Sequence, residues 1–164
     1  HPTPMTWYDS IADGYDELRG QEQRQKLAVF QPFIDPGMRV LDVGFGTGIS
    51  DDYLDATIVG LEPSAPMLNE YEGDARTYNA QGAEIPRLFA ENAFDATLCV
   101  STAHHFDDAE TVFSAITSVV RSQGYVFLSV FENDTNRVLP LLKGVAEVER
   151  SHVHRDTVLV YQVY

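Results

Sequence analysis

Short apolar runs alternate with polar, helix-periodic stretches along most of this chain. Arg39–Val43, Thr57–Leu61, Phe94–Ser101 and Gly124–Phe131 read as strands, with a weaker candidate at Arg76–Gln81. "MTWYDSIADGYDELRG" and "EQRQKLAVFQPFI" read as two N-terminal helical pieces, and "GISDDYL" and "APMLNEYE" as short helices between strands. The best helix is "DDAETVFSAITSVVRS", capped by Asp107 or Asp108, with Val112, Phe113, Ile116, Val119 and Val120 on one face. Gly124 is expected to stop it. Strand, helix, strand at this spacing predicts an α/β doubly wound, three-layer sandwich around a mostly parallel sheet. "GVAEVERSHVH" and "DTVLVYQVY" then read as an antiparallel hairpin turning at Arg155–Asp156, which brings the sheet to seven strands.

No repeat, low-complexity tract or compositional break divides the 164 residues, so one domain is expected. Within it, 1–36 form a helical cover, 37–131 a ligand-binding core, and 132–164 a short connector and the hairpin. Charge narrows the partners: 25 acids against 11 bases leave a formal net charge of -14. Lys26 and Lys143 are the only lysines. Such a surface repels phosphate backbones, which disfavours a nucleic-acid substrate. No apolar run approaches the roughly eighteen residues of a membrane span, and no leader pattern is present. The single cysteine, Cys99, lies inside an apolar run, which fits a reducing, cytoplasmic setting.

Candidate chemistry gathers in "RVLDVGFGTGISDDYL", residues 39–54, where an apolar run meets Asp42 and then Gly44, Gly46 and Gly48. In an open parallel sheet, ligands bind beyond the carboxyl ends of the strands. Glycines there are expected to let backbone amides approach a ligand closely. The dinucleotide fingerprint needs a glycine at position 49, which is Ile49. Glu62 ends the next strand, some twenty residues on, where a carboxylate accepts both hydroxyls of a ribose. Acids on both sides of the glycines suit a positively charged nucleoside better than a pyrophosphate.

Here the chain resembles the class I S-adenosylmethionine-dependent methyltransferases, of the ubiquinone/menaquinone-biosynthesis type. "VLDVGFGTG", "GLEPSAPML", "AEIP", "FDATLCVSTAHHF" and the helix followed by "GYVFLSV" carry the resemblance, in order, over roughly Trp7 to Phe131. It implies a Rossmann-like fold and S-adenosyl-L-methionine as cofactor, with S-adenosyl-L-homocysteine as its product. It also implies that Asp42, Gly44, Gly46 and Gly48 line the methionine and ribose part, and that Glu62, followed by Pro63, holds the ribose. Met67 would pack near the adenine, Ala83 and Glu84 would sit by its edge, and Val100 and Ser101 would approach the methionine. Tyr8 and Tyr15 would cover the cofactor, although packing of the first helix explains them equally well. Two departures stand out. "QGAEIPRLF" has glycine where the family often has an acid, and only "ENDTNRVLPLLK" remains where many relatives carry a longer lid.

Methyl transfer is an in-line displacement in which the protein mainly positions the reactants. His104 and His105, after the fourth strand, are candidates for the base that takes a proton from the acceptor; packing on the sheet is the alternative. "HVHRD", residues 152–156, has two histidines on one strand face but lies on a hairpin expected away from the glycines, so no metal is assigned. Asp51 and Asp52 read as solvated first-turn charges, and Asp95 as a strand cap. The function read from the sequence is methyl transfer to a small-molecule acceptor. The alternatives are a non-catalytic cofactor-binding regulatory or assembly subunit, a protein or lipid-like quinone acceptor, and a nicotinamide dehydrogenase. A homodimer or partner subunit completing the acceptor site goes with the short lid.

Overall fold

The computed structural model describes residues 18–101, 103 and 106–164. Its centre is a sheet in the order β3-β2-β1-β4-β5-β7-β6. The strands are β1 (Arg39–Val43), β2 (Thr57–Leu61), β3 (Arg76–Tyr78), β4 (Phe94–Val100), β5 (Val120–Phe131), β6 (Val145–Val153) and β7 (Asp156–Val163). The first five are parallel, and β7 runs antiparallel between β5 and β6. This is the expected seven-stranded α/β fold.

Alternation along each strand divides the core into two halves. Val40 of β1, Ile58 of β2, Leu98 of β4 and Phe127 of β5 face one side, where α1 (described over 18–30), α2 (Ile49–Tyr53) and α3 (Ala65–Asn69) place Leu27, Phe30, Leu54 and Leu68. Phe30 stacks on Phe127 with ring centroids 5.0 Å apart. Leu41, Val59, Cys99 and Leu128 face the other side, against α4 (Ile85–Leu88) and α5 (Ala109–Ser118), which contribute Ile85, Val112, Phe113 and Ile116. Asp108 caps α5 by accepting a hydrogen bond from the Thr111 amide at 3.3 Å. Asp95 ties the sheet's amino end together, accepting from the Arg39 amide at 2.8 Å and from Arg121 Nε at 2.7 Å. Those two contacts, the amide first, hold its carboxyl below its ordinary range.

Several boundaries differ from the sequence expectation. Residues 18–30 form one helix through Gly20, where a break was expected. α5 ends at Ser118, and β5 begins at Val120 rather than Gly124. The Ser118 and Val119 carbonyls accept hydrogen bonds from the Asn92 and Phe94 amides at 3.1 and 2.9 Å, so the chain leaves the helix to pair with β4. β3 is shorter than expected because the Ala80 amide and the Asn79 side chain turn back to the Glu62 carbonyl. The hairpin turns at His154–Arg155, with Val153 paired to Asp156. The connector folds as short helical turns, including α6 (Thr135–Val138), and buries Val138 and Leu142 in the α5-side core.

Candidate cofactor site

A cavity of about 790 Å³ opens at the carboxyl ends of β1, β2 and β4. Its floor is the loop from Gly44 to Thr47, one wall is Leu61–Pro63 with Ala80–Gly82, and Arg19, Gln23 and Leu27 of α1 lie across it. The loop returns to the end of β2 instead of standing clear of it. The amides of Gly44 and Phe45 donate to the Leu61 carbonyl at 2.8 and 3.0 Å, and the Gly46 amide donates to Glu62 Oε1 at 2.9 Å. The Gly48 amide donates to the Phe45 carbonyl at 3.1 Å. The expectation that these amides face a ligand is therefore corrected: four of them are taken by the protein, so this loop is poorly made for a phosphate.

Carboxylates face the cavity instead. Glu62 is 6% exposed, and its second oxygen accepts from the Ser64 amide at 2.9 Å, which fixes the carboxylate in one plane. Each oxygen keeps a further lone pair. Asp42 lies beneath the loop and accepts from the Ser50 hydroxyl at 2.5 Å. Burial, with the Glu62 charge adding to it and the Ser50 hydrogen bond opposing it, pushes Asp42 up to about 7. Glu70 also lines the cavity, and Arg19 is the only cation among the described lining residues. The site therefore favours a cationic ligand.

Asp42, Gly44, Gly46, Glu62, Pro63, Met67, Val100 and Ser101 all border this cavity. Gly48 does not: at φ 94° it leaves room for the Tyr71 ring, which a Cβ there would enter. Ala83 and Glu84 fall outside the lining, where Gln81 and Gly82 stand instead. Glu84 turns away, accepting from the Gln81 amide at 2.7 Å to close a helix start. Tyr8, Tyr15, His104 and His105 lie outside the described residues. Asp52 is an exposed first-turn charge as expected, pairing with Arg24 at 3.2 Å, whereas Asp51 accepts the Tyr71 hydroxyl.

A polar cluster at the β4 end of the cavity has no counterpart in any local pattern of the chain. Ser101 takes φ 57° there, and its hydroxyl accepts from Lys26 Nζ at 2.8 Å and donates to Asp156 Oδ2 at 3.0 Å. Lys26 and Asp156 are themselves 2.9 Å apart, with side chains 7% and 3% exposed. Because β7 is antiparallel, its first residue lies at the carboxyl end of β5, opposite Phe131. The hairpin turn expected away from the glycines is therefore at the cavity end of the sheet. Its His154 touches Gln25 of α1. Among the described residues no group of three or more His, Cys, Asp or Glu side chains is placed to hold a metal.

A family model for the methyltransferase domain matches residues 41–128. The chain belongs to that family. These are the class I S-adenosylmethionine-dependent methyltransferases, and the acidic cavity suits their sulfonium cofactor. The ubiquinone biosynthesis O-methyltransferase of Paracidovorax citrulli is 30% identical over 122 residues, 68% of this chain and 51% of that protein. The corresponding protein of Colwellia psychrerythraea is 26% identical over 152 residues, 81% of this chain and 62% of that one. This methyltransferase domain thus spans about half to three-fifths of the length of these curated relatives. In fold it resembles 1,6-didemethyltoxoflavin-N1-methyltransferase of Burkholderia thailandensis, solved with 1,6-didemethyltoxoflavin and S-adenosylhomocysteine bound. The TM-score is 0.73 at 19% identity, over 96% of this chain and 85% of that one. No described helix is long and apolar enough to cross a membrane.

Proposed function

We propose that this chain transfers a methyl group from S-adenosylmethionine to a small-molecule acceptor. The observation that carries this reading is the pair of buried carboxylates, Asp42 and Glu62, placed around a glycine loop whose amides are already satisfied. Such a cradle repels phosphates and receives a cation. The cofactor supplies a methyl group on a positively charged sulfur, which makes that carbon the electrophile.

The protein's part is placement and electrostatics. Glu62, held by two amides, offers its remaining lone pairs to the ribose hydroxyls. Asp42 supplies negative charge below the loop for the cationic methionine portion. Met67 and Gly82 border the nucleoside end, while Arg19, Gln23 and Leu27 of α1 lie across the cavity. The curated relatives are O-methyltransferases of ubiquinone biosynthesis, which supports a lipid-like quinone as the alternative acceptor.

A second reading is cofactor binding without turnover, in a regulatory or assembly subunit whose acceptor side is completed by a second copy or a partner. The connector motivates it: residues 132–144 pack on the α5-side core, and none of them lines the cavity. The test is titration calorimetry with S-adenosylhomocysteine on the parent and on Glu62→Ala. Binding that the substitution weakens tenfold or more, about 1.4 kcal/mol, is expected. No binding by the parent overturns the proposal; binding without turnover on any acceptor favours the second reading.

A further inference from the structure

α1 crosses the cavity on a stretch of chain with little apolar surface to hold it there. Arg19, Gly20, Gln23 and Leu27 line the cavity. From 18 to 26 the sequence reads LRGQEQRQK, and its one large apolar side chain, Leu18, is 64% exposed. Buried apolar anchoring begins at Leu27 and Phe30. A helical end without a buried apolar face is marginal in water and opens locally. Among the described residues, polar contacts therefore set where the first two turns lie.

Three consecutive side chains make those contacts. Arg24 reaches Asp52 of α2 at 3.2 Å. Lys26, about 200° further round the helix, reaches Asp156 at 2.9 Å and the Ser101 hydroxyl at 2.8 Å. Gln25, between them, meets His154 in the β6–β7 turn. The two sides differ in strength. The Arg24 and Asp52 side chains are 45% and 74% exposed, and ion pairs of that kind contribute little. Those of Lys26 and Asp156 are 7% and 3% exposed, so losing either partner strands a charge inside the protein. Such a pair gains little stability over apolar side chains of similar volume; what it adds is direction. An ammonium only donates and a carboxylate only accepts. The Ser101 hydroxyl joins them, accepting from Lys26 and donating to Asp156, with Ser129 Oγ at 3.3 Å on its remaining side. That arrangement fits one position of the helix.

Neither Gln25 nor Lys26 lines the cavity, and β6, β7 and the turn between them contribute none of its described lining residues. Their effect on a ligand has to pass through α1. We propose that Lys26 and Asp156, with Gln25 and His154 beside them, are positioning residues that hold α1 over the bound cofactor. The C-terminal hairpin, which the cofactor does not touch, thereby sets how long the cofactor stays. This inference rests on the methyltransferase reading above.

The experiment uses the full chain and S-adenosylhomocysteine. His154→Gly removes the Gln25 contact and suits the φ of 55° that this turn residue holds, so it folds at least as well as the parent. Lys26→Met removes the ammonium and keeps the bulk of its stem. By stopped-flow displacement, S-adenosylhomocysteine should leave about threefold faster from His154→Gly and roughly tenfold or more faster from Lys26→Met. In the ligand-free variants, amides 20–25 should exchange hydrogen faster by similar factors, while those of β4 and β5 keep their rates. A pair that only stabilises the fold would lower the unfolding free energy and leave the dissociation rate of the folded protein unchanged. The proposal is overturned if release from His154→Gly stays within about 1.5-fold of the parent, or if a folded Lys26→Met stays within about twofold. It is also overturned if the α1 amides exchange no faster in the variants. Should Lys26→Met fail to fold, His154→Gly decides. Failure of the parent to bind S-adenosylhomocysteine instead overturns the methyltransferase reading, and faster α1 exchange would then mean that the hairpin holds the helix over a site for another ligand.

Discussion

Asp42 concentrates the physics of the site in one carboxyl group. Its folded value is raised to about 7 from an ordinary 3.8, chiefly by burial. A raised carboxyl favours the fold when protonated. That contribution is complete below the ordinary value and is lost as pH rises through about 7. The ligand-free protein should therefore lose stability between about pH 5 and pH 8. Asp42→Asn should remove that slope, on the order of 2 kcal/mol by denaturant titration at the two pH values. A cationic ligand reverses the preference, so affinity for S-adenosylmethionine should rise with pH up to about 7 in the parent and stay flat in the variant. The identity and place of Asp42 and Glu62 were legible as acids ending consecutive strands. Their separate tasks were not, because burial and hydrogen-bond partners set them.

At the scale of elements, the glycine loop and α2 work as one piece. Gly46 at φ 61° turns the chain over the end of β1, with its amide on Glu62. Gly48 serves packing: Tyr71 fills the space beside it, edge-on to Phe45 with centroids 4.9 Å apart. Gly48→Ala combines an unfavourable φ with displacement of that ring. It should cost about 2–4 kcal/mol by chemical denaturation, and it should weaken S-adenosylhomocysteine binding because the loop moves with it. From the sequence, three glycines in alternation look equivalent; only the neighbour that fills the space tells them apart. The end of α5 has the same cause. Val119 and Val120 continue the helical apolar pattern, yet Val119 closes α5 and Val120 opens β5, where the amides of Asn92 and Phe94 capture the carbonyls that end the helix.

For the molecule as a whole, the net charge of -14 is the dominant long-range term. Most of the acids stand on the surface and repel one another within a Debye length. Raising the salt from 0.05 to 0.5 M should stabilise the chain by ~1 kcal/mol, or roughly 2–4 °C in Tm at this size. A thermal melt across that range, with unchanged or falling Tm as the contrary result, checks it. The cavity shares the sign of the surface, which draws a cationic ligand toward the site while phosphate-rich partners are held off.

The sequence by itself determined the layer architecture, the central place of Arg39–Val43 and the acidic, glycine-rich ligand end, because strand period, helix period and turn residues are local properties of the chain. It also located eight of the residues that border the cavity. The tertiary structure alone decided which amides remain for a ligand, which glycine makes room for a ring, and that Lys26, Ser101 and Asp156 meet. Those three lie 75 and 55 positions apart along the chain. No local pattern links them; α1 lying across the sheet and β7 running antiparallel bring them to one point.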